Sequence, residues 1–124
     1  MFGWFNSQKR IAFGRPDIDS AIANIAVSLA MEWGPNWGKP TQDRLKEAFP
    51  TLTSDALDRY EDLARFTTQF AFSLMHDLIA EHGENSQELS RLFPSFMKSR
   101  YEWISDANID RAFSQGMYYA IVRD

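Results

Sequence analysis

The sequence predicts an all-α protein, a single-domain bundle of about five helices packed around one long central helix at about residues 54–82. First, no Pro or Gly interrupts the chain between residues 53 and 83. Second, apolar residues there recur at steps of three and four over about eight helical turns. Third, these residues cover more than half of the helix circumference, so one neighbouring helix could not bury them all. A chain of 124 residues suffices for one ordinary domain.

Ahead of the central helix we predict an arm and two helices. Residues 1–15 form a basic, aromatic N-terminal arm, and residues 16–124 form the helical domain. The first helix is expected over about residues 17–33, before a Gly-Pro step that ends it. Its inward face is expected to consist of Ile18, Ile22, Ile25 and Leu29. Thr41 is expected to cap a short helix that reaches Phe49, just before a proline.

The central helix and the two helices after it have recognisable ends. Thr53 or Ser54 can accept hydrogen bonds from the first backbone N–H groups, and Gly83 can close the helix in a left-handed conformation. Ser86 is expected to cap the fourth helix, which Pro94 must restart or kink because proline lacks the backbone donor. A last helix is expected over about residues 105–122.

Small residues recur every fourth position in the last helix and predict a close helix contact. They are Ala112, Gly116 and Ala120. The expected complement is the small side of the central helix at Ala64, Thr67 and Ala71, or the first helix at Ala26 and Ala30. Such a groove lets another backbone approach, and a large side chain at Gly116 would then overpack it.

Composition and spacing argue against several classes of function. The chain has no Cys, which removes disulfides and thiolate chemistry. His76 and His82 lie six positions apart, about 120 degrees around one helix, so they cannot jointly hold a metal. We therefore predict no catalytic residue, no metal and no cofactor. A net charge of −4 disfavours nucleic-acid binding, and a cytoplasmic location is the simplest expectation.

Two aromatic segments are candidate partner-binding surfaces. The arm carries a charge of +3 and the remaining chain −7, so the arm either folds back on its own acidic body or anchors the protein to a partner or, less favoured, to an anionic membrane surface. The second segment is a Gly/Pro-rich loop with two tryptophans and nearby cations. Its tryptophans either cap the end of the bundle, the more frequent outcome, or serve as anchors at a protein interface. The candidate residues are Phe2, Trp4, Phe5, Trp33, Trp37, Lys39 and Arg44.

We therefore expect a non-enzymatic protein interaction or regulatory module, a small acidic binder or inhibitor, with self-association as a homodimer left open. The alternative is a small-molecule-binding or enzymatic bundle with a polar site on the central helix. That site would use Asp58, Asp62, Arg65, Gln69 and His76. On the same helix, Glu61 and Arg65 are spaced to form a stabilising i,i+4 ion pair.

Overall fold

The computed structural model describes residues 18–32 and 39–123, and helices dominate both ranges. The helices are α1 (Ser20–Ala30), α2 (Gln42–Ala48), α3 (Ser54–His82), α4 (Glu88–Arg100) and α5 (Asp106–Tyr118), followed by a π-helical turn (Tyr119–Arg123). Within these residues there is no strand, and α3 contacts every other described helix. The predicted all-α bundle around one central helix is therefore confirmed. The predicted division into arm and domain falls mostly on residues outside the described ranges.

The central helix α3 begins and ends where its sequence predicts. The Thr53 side chain accepts a hydrogen bond from Ala56 N at 3.1 Å, and Asp55 places negative charge in the first turn. At the other end Gly83 has φ of 91°, a conformation that side chains rarely adopt. Its buried residues are Ala56, Leu57, Tyr60, Leu63, Ala64, Thr67, Thr68, Ala71, Met75 and Leu78. This broad buried surface explains why helices pack on α3 from several sides.

The buried face of α1 differs from the predicted one. Asp19 caps the helix, and its side chain accepts hydrogen bonds from Ala21 N and Ile22 N. The buried residues are Ala23, Ala26 and Val27, whereas Ile25 is 40% exposed. The prediction that Ile25 faces inward is wrong because it lies two positions, about 160 degrees, from Ala23. Small side chains occupy the contact and let the helix backbones approach closely, while Ile18, Ile22 and Leu29 pack at its edges.

A polar link that the sequence analysis did not foresee joins α1 to α5. The Asn24 side chain donates to Trp103 O at 2.9 Å and accepts from Ser105 N at 2.8 Å. Asn108 Nδ2 donates to both Asn24 O and Asn24 Oδ1. Further along, Gln115 Nε2 donates to Met31 O at 2.6 Å. Successive residues of α1 thus meet successive residues of α5, and the two helices run in the same direction.

The short helix α2 is held without the predicted cap. Thr41 precedes it with φ −90° and ψ −9°, and its side chain makes no capping hydrogen bond to the described helix. A capping side chain needs an extended backbone to reach the free N–H groups, so the helical backbone of Thr41 explains the failed prediction. Arg44 ties α2 to the end of α1 instead. It donates to Leu29 O at 3.0 Å and pairs with Glu32 at 3.0 Å.

The structure of α4 and α5 differs from the prediction at the start and the interior of α4 and at the end of α5. Ser86 Oγ accepts from Glu88 N at 3.1 Å, but the residue at the N-cap of α4 is Gln87, whose side chain makes no capping hydrogen bond, so the predicted cap is shifted by one residue. At Pro94 a restart or a kink was predicted, and the restart does not occur because α4 continues through Pro94 to Arg100. Burial of residues on both sides of the proline, Phe93 and Met97, holds the helix against the core. The α-helical hydrogen bonding of α5 ends at Tyr118, short of the predicted residue 122, because the chain widens there into the π-helical turn.

The small-residue groove of α5 lies in the interior, as predicted, but its complement is shifted along α3. Ala112 and Gly116 are buried. A Cβ built on Gly116 would lie 3.0 Å from Met75 Cβ and 3.8 Å from Phe72 Cδ1. The nearest neighbours of Gly116 are therefore about one turn beyond the predicted Ala64, Thr67 and Ala71. The Met75 side chain fills this groove, and a Cβ at position 116 would require it to move by a few tenths of an ångström.

Candidate functional site

The predicted partner-binding residues fall into two groups. Phe2, Trp4, Phe5, Trp33 and Trp37 lie outside the described residues, so their role stays a prediction. Arg44 makes the intramolecular contacts given above, and its guanidinium is thereby committed to joining α1 and α2. Lys39 is exposed and lies at the edge of a cleft.

The alternative polar site does not form one pocket. Its residues follow one stripe of α3, and the stripe from Asp58 to His76 is about 27 Å long at 1.5 Å per residue. Asp58 Oδ1 accepts from Gln42 Nε2 at 2.8 Å, and Asp62 binds Arg65 at 2.7 Å. Gln69 and His76 are exposed further along the helix. Of the five residues, Arg65 lines the cleft described below.

The predicted Glu61–Arg65 ion pair is replaced by another. Arg65 Nη2 contacts Asp62 Oδ1, three residues before it, and not the carboxylate of Glu61, four residues before it. Glu61 Oε1 is buried and has no hydrogen-bond partner in the described part of the chain. The i,i+4 prediction is wrong here because two carboxylates compete for one guanidinium, and Asp62 binds it on the outer face of α3. This leaves an acceptor facing inward.

A cleft of about 300 Å³ lies between the end of α1, residues 39–41 and the middle of α3. Its apolar wall consists of Ala30, Pro40, Ala64 and Phe72. Its polar residues are Lys39, Thr41, Glu61, Arg65 and Thr68. The Thr68 hydroxyl donates to Arg65 O at 3.0 Å, so its donor is already used. The cleft thus combines an apolar wall with a carboxylate, a hydroxyl and two cations.

Two oxygens of this cleft are buried and unsatisfied. Thr41 is 4% exposed, and neither Thr41 Oγ1 nor Glu61 Oε1 has a hydrogen-bond partner among residues 18–32 and 39–123. Most buried polar groups in proteins are hydrogen-bonded, since an unmet one is costly. The sequence analysis assigned neither residue to a site, although the residues around Glu61 carry one signal of a cleft. Ala64 and Thr68 follow Glu61 at three and seven positions, and small side chains on that face leave space beside the carboxylate.

A second feature is an exposed apolar surface at the end of α5. Tyr118, Ile121 and Val122 are 39%, 41% and 65% exposed, and we call these three residues the C-terminal apolar face. The adjoining Tyr119 turns inward, with its ring 5.0 Å from that of Phe72 and 5.5 Å from that of Tyr118. The three exposed residues have i, i+3, i+4 spacing, the signal by which sequence analysis could have found them.

The groups with shifted pKa values lie at either end of α4. Burial raises the pKa of Tyr101, which lies between the rings of Phe70 and Trp103 at centroid distances of 5.6 and 5.7 Å. At the start of α4, the hydrogen bond from Arg91 lowers the pKa of the exposed Glu88. Neither of these groups lines the cleft. Both shifts follow from structural contacts.

Two further features are absent from the described residues. No group of three or more His, Asp or Glu side chains there could hold a metal ion. None of the helices in those ranges combines the length and the apolar character that crossing a bilayer requires.

Comparison with known proteins yields no matching family model, no matching curated protein and no matching solved structure. The chemistry of the cleft and of the C-terminal apolar face is therefore the basis for assigning a function.

Proposed function

We propose that this chain is a non-enzymatic protein-binding module that inserts its C-terminal apolar face into an apolar pocket with a basic rim on a partner protein. The observation that carries the proposal is the exposure of three adjacent apolar side chains, Tyr118, Ile121 and Val122, on one helical face. Apolar and aromatic side chains that fill a partner's pocket supply much of the energy of protein interfaces.

The surface is supported from beneath, which favours a docking role. Tyr119 packs on Phe72 of α3, and the π-helical turn contacts α3 directly. A supported surface loses less conformational freedom on binding than a flexible one, so more of its contact energy appears as affinity.

The charge of the chain favours a basic partner. The last turns of α3 expose Asp77 and Glu81. Each carboxylate lies beside a histidine, with Asp77 3.8 Å from His76 and Glu81 3.9 Å from His82. With a net charge of −4, the protein would attract a positively charged partner surface and repel an acidic one. A cytoplasmic location is part of this proposal.

The decisive experiment compares two matched variants. Ile121→Asp places a carboxylate in the proposed interface, and Ile25→Asp places the same group at an equally exposed isoleucine on α1, 40% against 41%. A photo-crosslinker at Tyr118 identifies the partner, which is then purified and titrated against each variant. We expect Ile121→Asp to weaken binding at least about tenfold, because an unpaired charge must be desolvated. Ile25→Asp should leave the dissociation constant unchanged.

Circular dichroism of both variants controls for folding, and sedimentation velocity tests self-association. Equal affinities of the two variants for the partner would refute the docking surface. If the native chain dimerises and Ile121→Asp is monomeric, the occupant is a second copy of the chain, and the proposed basic partner is wrong.

A further inference from the structure

We propose that the groove between α4 and α5 binds an arginine side chain of the partner protein. This inference rests on the proposed function, because it assigns a second contact to the partner that the C-terminal apolar face docks into. The groove has a volume of about 260 Å³. We call it the α4–α5 groove, and its lining residues are Ser90, Pro94, Ile109, Asp110, Phe113 and Ser114.

The α4–α5 groove adjoins the C-terminal apolar face along α5. Asp110, Ser114 and Tyr118 follow one another at steps of four, and residues at that spacing lie on the same side of an α-helix. Asp110 and Ser114 line the groove, and Tyr118 belongs to the apolar face. From Asp110 to Tyr118 the helix rises by about 12 Å, at roughly 1.5 Å per residue. A partner docked on the apolar face can therefore reach the groove at the same time.

The floor of the groove suits an aliphatic stem that ends in a flat cation. Ile109 is buried, and Pro94 and Phe113 are partly exposed, so solvent reaches the apolar floor. The Phe113 ring is held edge-to-face against the buried Phe93 ring, with centroids 5.4 Å apart. Guanidinium groups stack on aromatic rings, and their methylene stems cover apolar side chains. The volume lies below the roughly 300–1,000 Å³ of small-molecule sites, which favours a single side chain as the occupant.

The rim of the groove supplies a carboxylate for that cation. Asp110 is exposed and forms no ion pair within residues 18–32 and 39–123, whereas Asp106, one turn earlier, lies 3.8 Å from Lys98. Ser90 and Ser114 are exposed at the same rim and bring hydroxyl acceptors. A guanidinium carries five N–H donors in a planar fork, so it can bind a carboxylate and a hydroxyl together. An anionic side chain would be repelled.

Two cations of the chain close to the groove have other partners. Arg91, which follows Ser90, binds Glu88 at 2.7 Å. Arg111 donates to Ser28 O of α1 at 3.4 Å. Both guanidinium groups are thus engaged with other groups, which leaves the groove carboxylate to a cation of the partner.

Three probes test this chemistry in the full-length protein. They are the N-acetyl, N-methylamide derivatives of L-arginine, L-lysine and L-citrulline, and citrulline replaces the guanidinium by a neutral urea. Backbone amide shifts in NMR titrations measure the binding of each probe. We expect shifts centred on Ser90, Ile109 and Ser114, with arginine bound at least about threefold more tightly than citrulline. Lysine should lie between them, because an ammonium lacks the planar fork and does not stack on a ring.

Matched substitutions test the carboxylate and the groove. Asp110→Asn removes the charge at constant size and should weaken arginine binding at least about threefold. Glu84→Gln removes the same charge at an exposed loop position and should have no effect. Ser114→Leu fills the groove without a change of charge and should also weaken arginine binding. Asp110→Asn should weaken binding of the purified partner too, whereas Ile121→Asp, outside the groove, should leave probe binding unchanged.

The inference is overturned if citrulline binds as tightly as arginine, or if no probe shifts the groove amides. It is also overturned if Asp110→Asn leaves the affinity for the arginine probe or for the purified partner unchanged. Arg10→Gln and Arg15→Gln in the full chain test the basic arm as a rival occupant. If either variant binds the arginine probe more tightly than the native chain, the arm occupies the groove and an arginine of the partner is the wrong occupant.

The two proposals fail separately. Probe binding to the groove, combined with equal affinities of Ile121→Asp and Ile25→Asp for the partner, would refute the docking surface alone. Weaker partner binding by Ile121→Asp, combined with no probe binding, would refute the arginine site alone.

Discussion

Replacement of Gly116 by leucine should destabilise the protein, because Gly116 lies against Met75 where α5 packs on α3. A Cβ at position 116 would lie 3.0 Å from Met75 Cβ and 3.3 Å from Met75 Cγ. Met75 is fully buried, and its Cβ is fixed to the backbone of α3. Carbon atoms pack best at about 3.5–4.0 Å, so Met75 would have to move away by a few tenths of an ångström.

The magnitude follows from two opposing effects. Removing a glycine from a helix interior stabilises it by about 1 kcal/mol, whereas overpacking a core costs about 1–3 kcal/mol. For Gly116→Ala the overpacking cost exceeds the helix gain by about 0–2 kcal/mol, and we expect the free energy of unfolding to fall by that amount. Gly116→Leu adds the rest of the leucine side chain to the same contact, so we expect a loss of about 1–3 kcal/mol. For a domain of this size, that loss lowers Tm by about 4–12 °C.

Thermal and urea unfolding, followed by circular dichroism, measure this effect. Ser114→Leu is the matched control, because Ser114 is exposed on the same helix two residues earlier. A surface substitution of this kind should change stability by less than about 0.5 kcal/mol. If Gly116→Leu unfolds cooperatively at the temperature of the native protein, then Gly116 does not lie at a close helix contact and the reasoning is refuted.

Three further predictions concern polar groups. Asn24→Ala leaves the backbone N–H of Ser105 and its other partners unsatisfied, and urea unfolding should show a loss of about 2–3 kcal/mol; a loss below about 0.5 kcal/mol would mean that water replaces the side chain. Asp19→Ala removes two capping hydrogen bonds from α1 and should cost about 1 kcal/mol in the same assay, whereas Asp19→Asn should restore most of it. Burial raises the pKa of Tyr101, so its contribution to stability is complete below the unfolded pKa near 10 and is lost as pH rises through the folded pKa. The free energy of unfolding should therefore fall more steeply above about pH 10 in the native protein than in Tyr101→Phe, and parallel curves would contradict this.

The central helix was predictable because its determinants are local. Thr53 caps it, Gly83 ends it, and the residues between them form a broad apolar surface. Each of these features acts within a few residues along the chain, so sequence spacing is enough to locate them. The burial of Gly116 was predictable for a related reason, since small residues at every fourth position can serve only a close contact along one face of a helix.

Predictions failed where two residues of the same helix compete for one contact. Ile25 was assigned to the core because it is apolar, but α1 packs through Ala23 and Ala26, where the helix backbones approach closely. Arg65 was paired with Glu61 by spacing, but Asp62 binds it. Hydrophobicity and spacing rank the candidates for a contact, but they do not select among candidates that are nearly equal.

The candidate site was even less accessible to sequence reasoning. Thr41 precedes α2 and Glu61 lies in α3, and neither belongs to a recognisable motif. They line the same cleft only because α2 packs beside α3 and Arg44 holds the preceding segment against α1. The unsatisfied state of their oxygens depends on every neighbouring side chain, which spacing along the chain cannot specify.

By itself, the sequence determined that this protein is all-α, where its longest helix begins and ends, and which residues of that helix are apolar enough to be buried. These properties arise from backbone hydrogen bonding and side-chain periodicity over short stretches of chain. Only the tertiary structure decided which face of α1 enters the core, which carboxylate binds Arg65, and which oxygens are left inside the cleft. Those outcomes depend on helices that are distant in sequence competing for the same limited volume, and packing in three dimensions settles that competition.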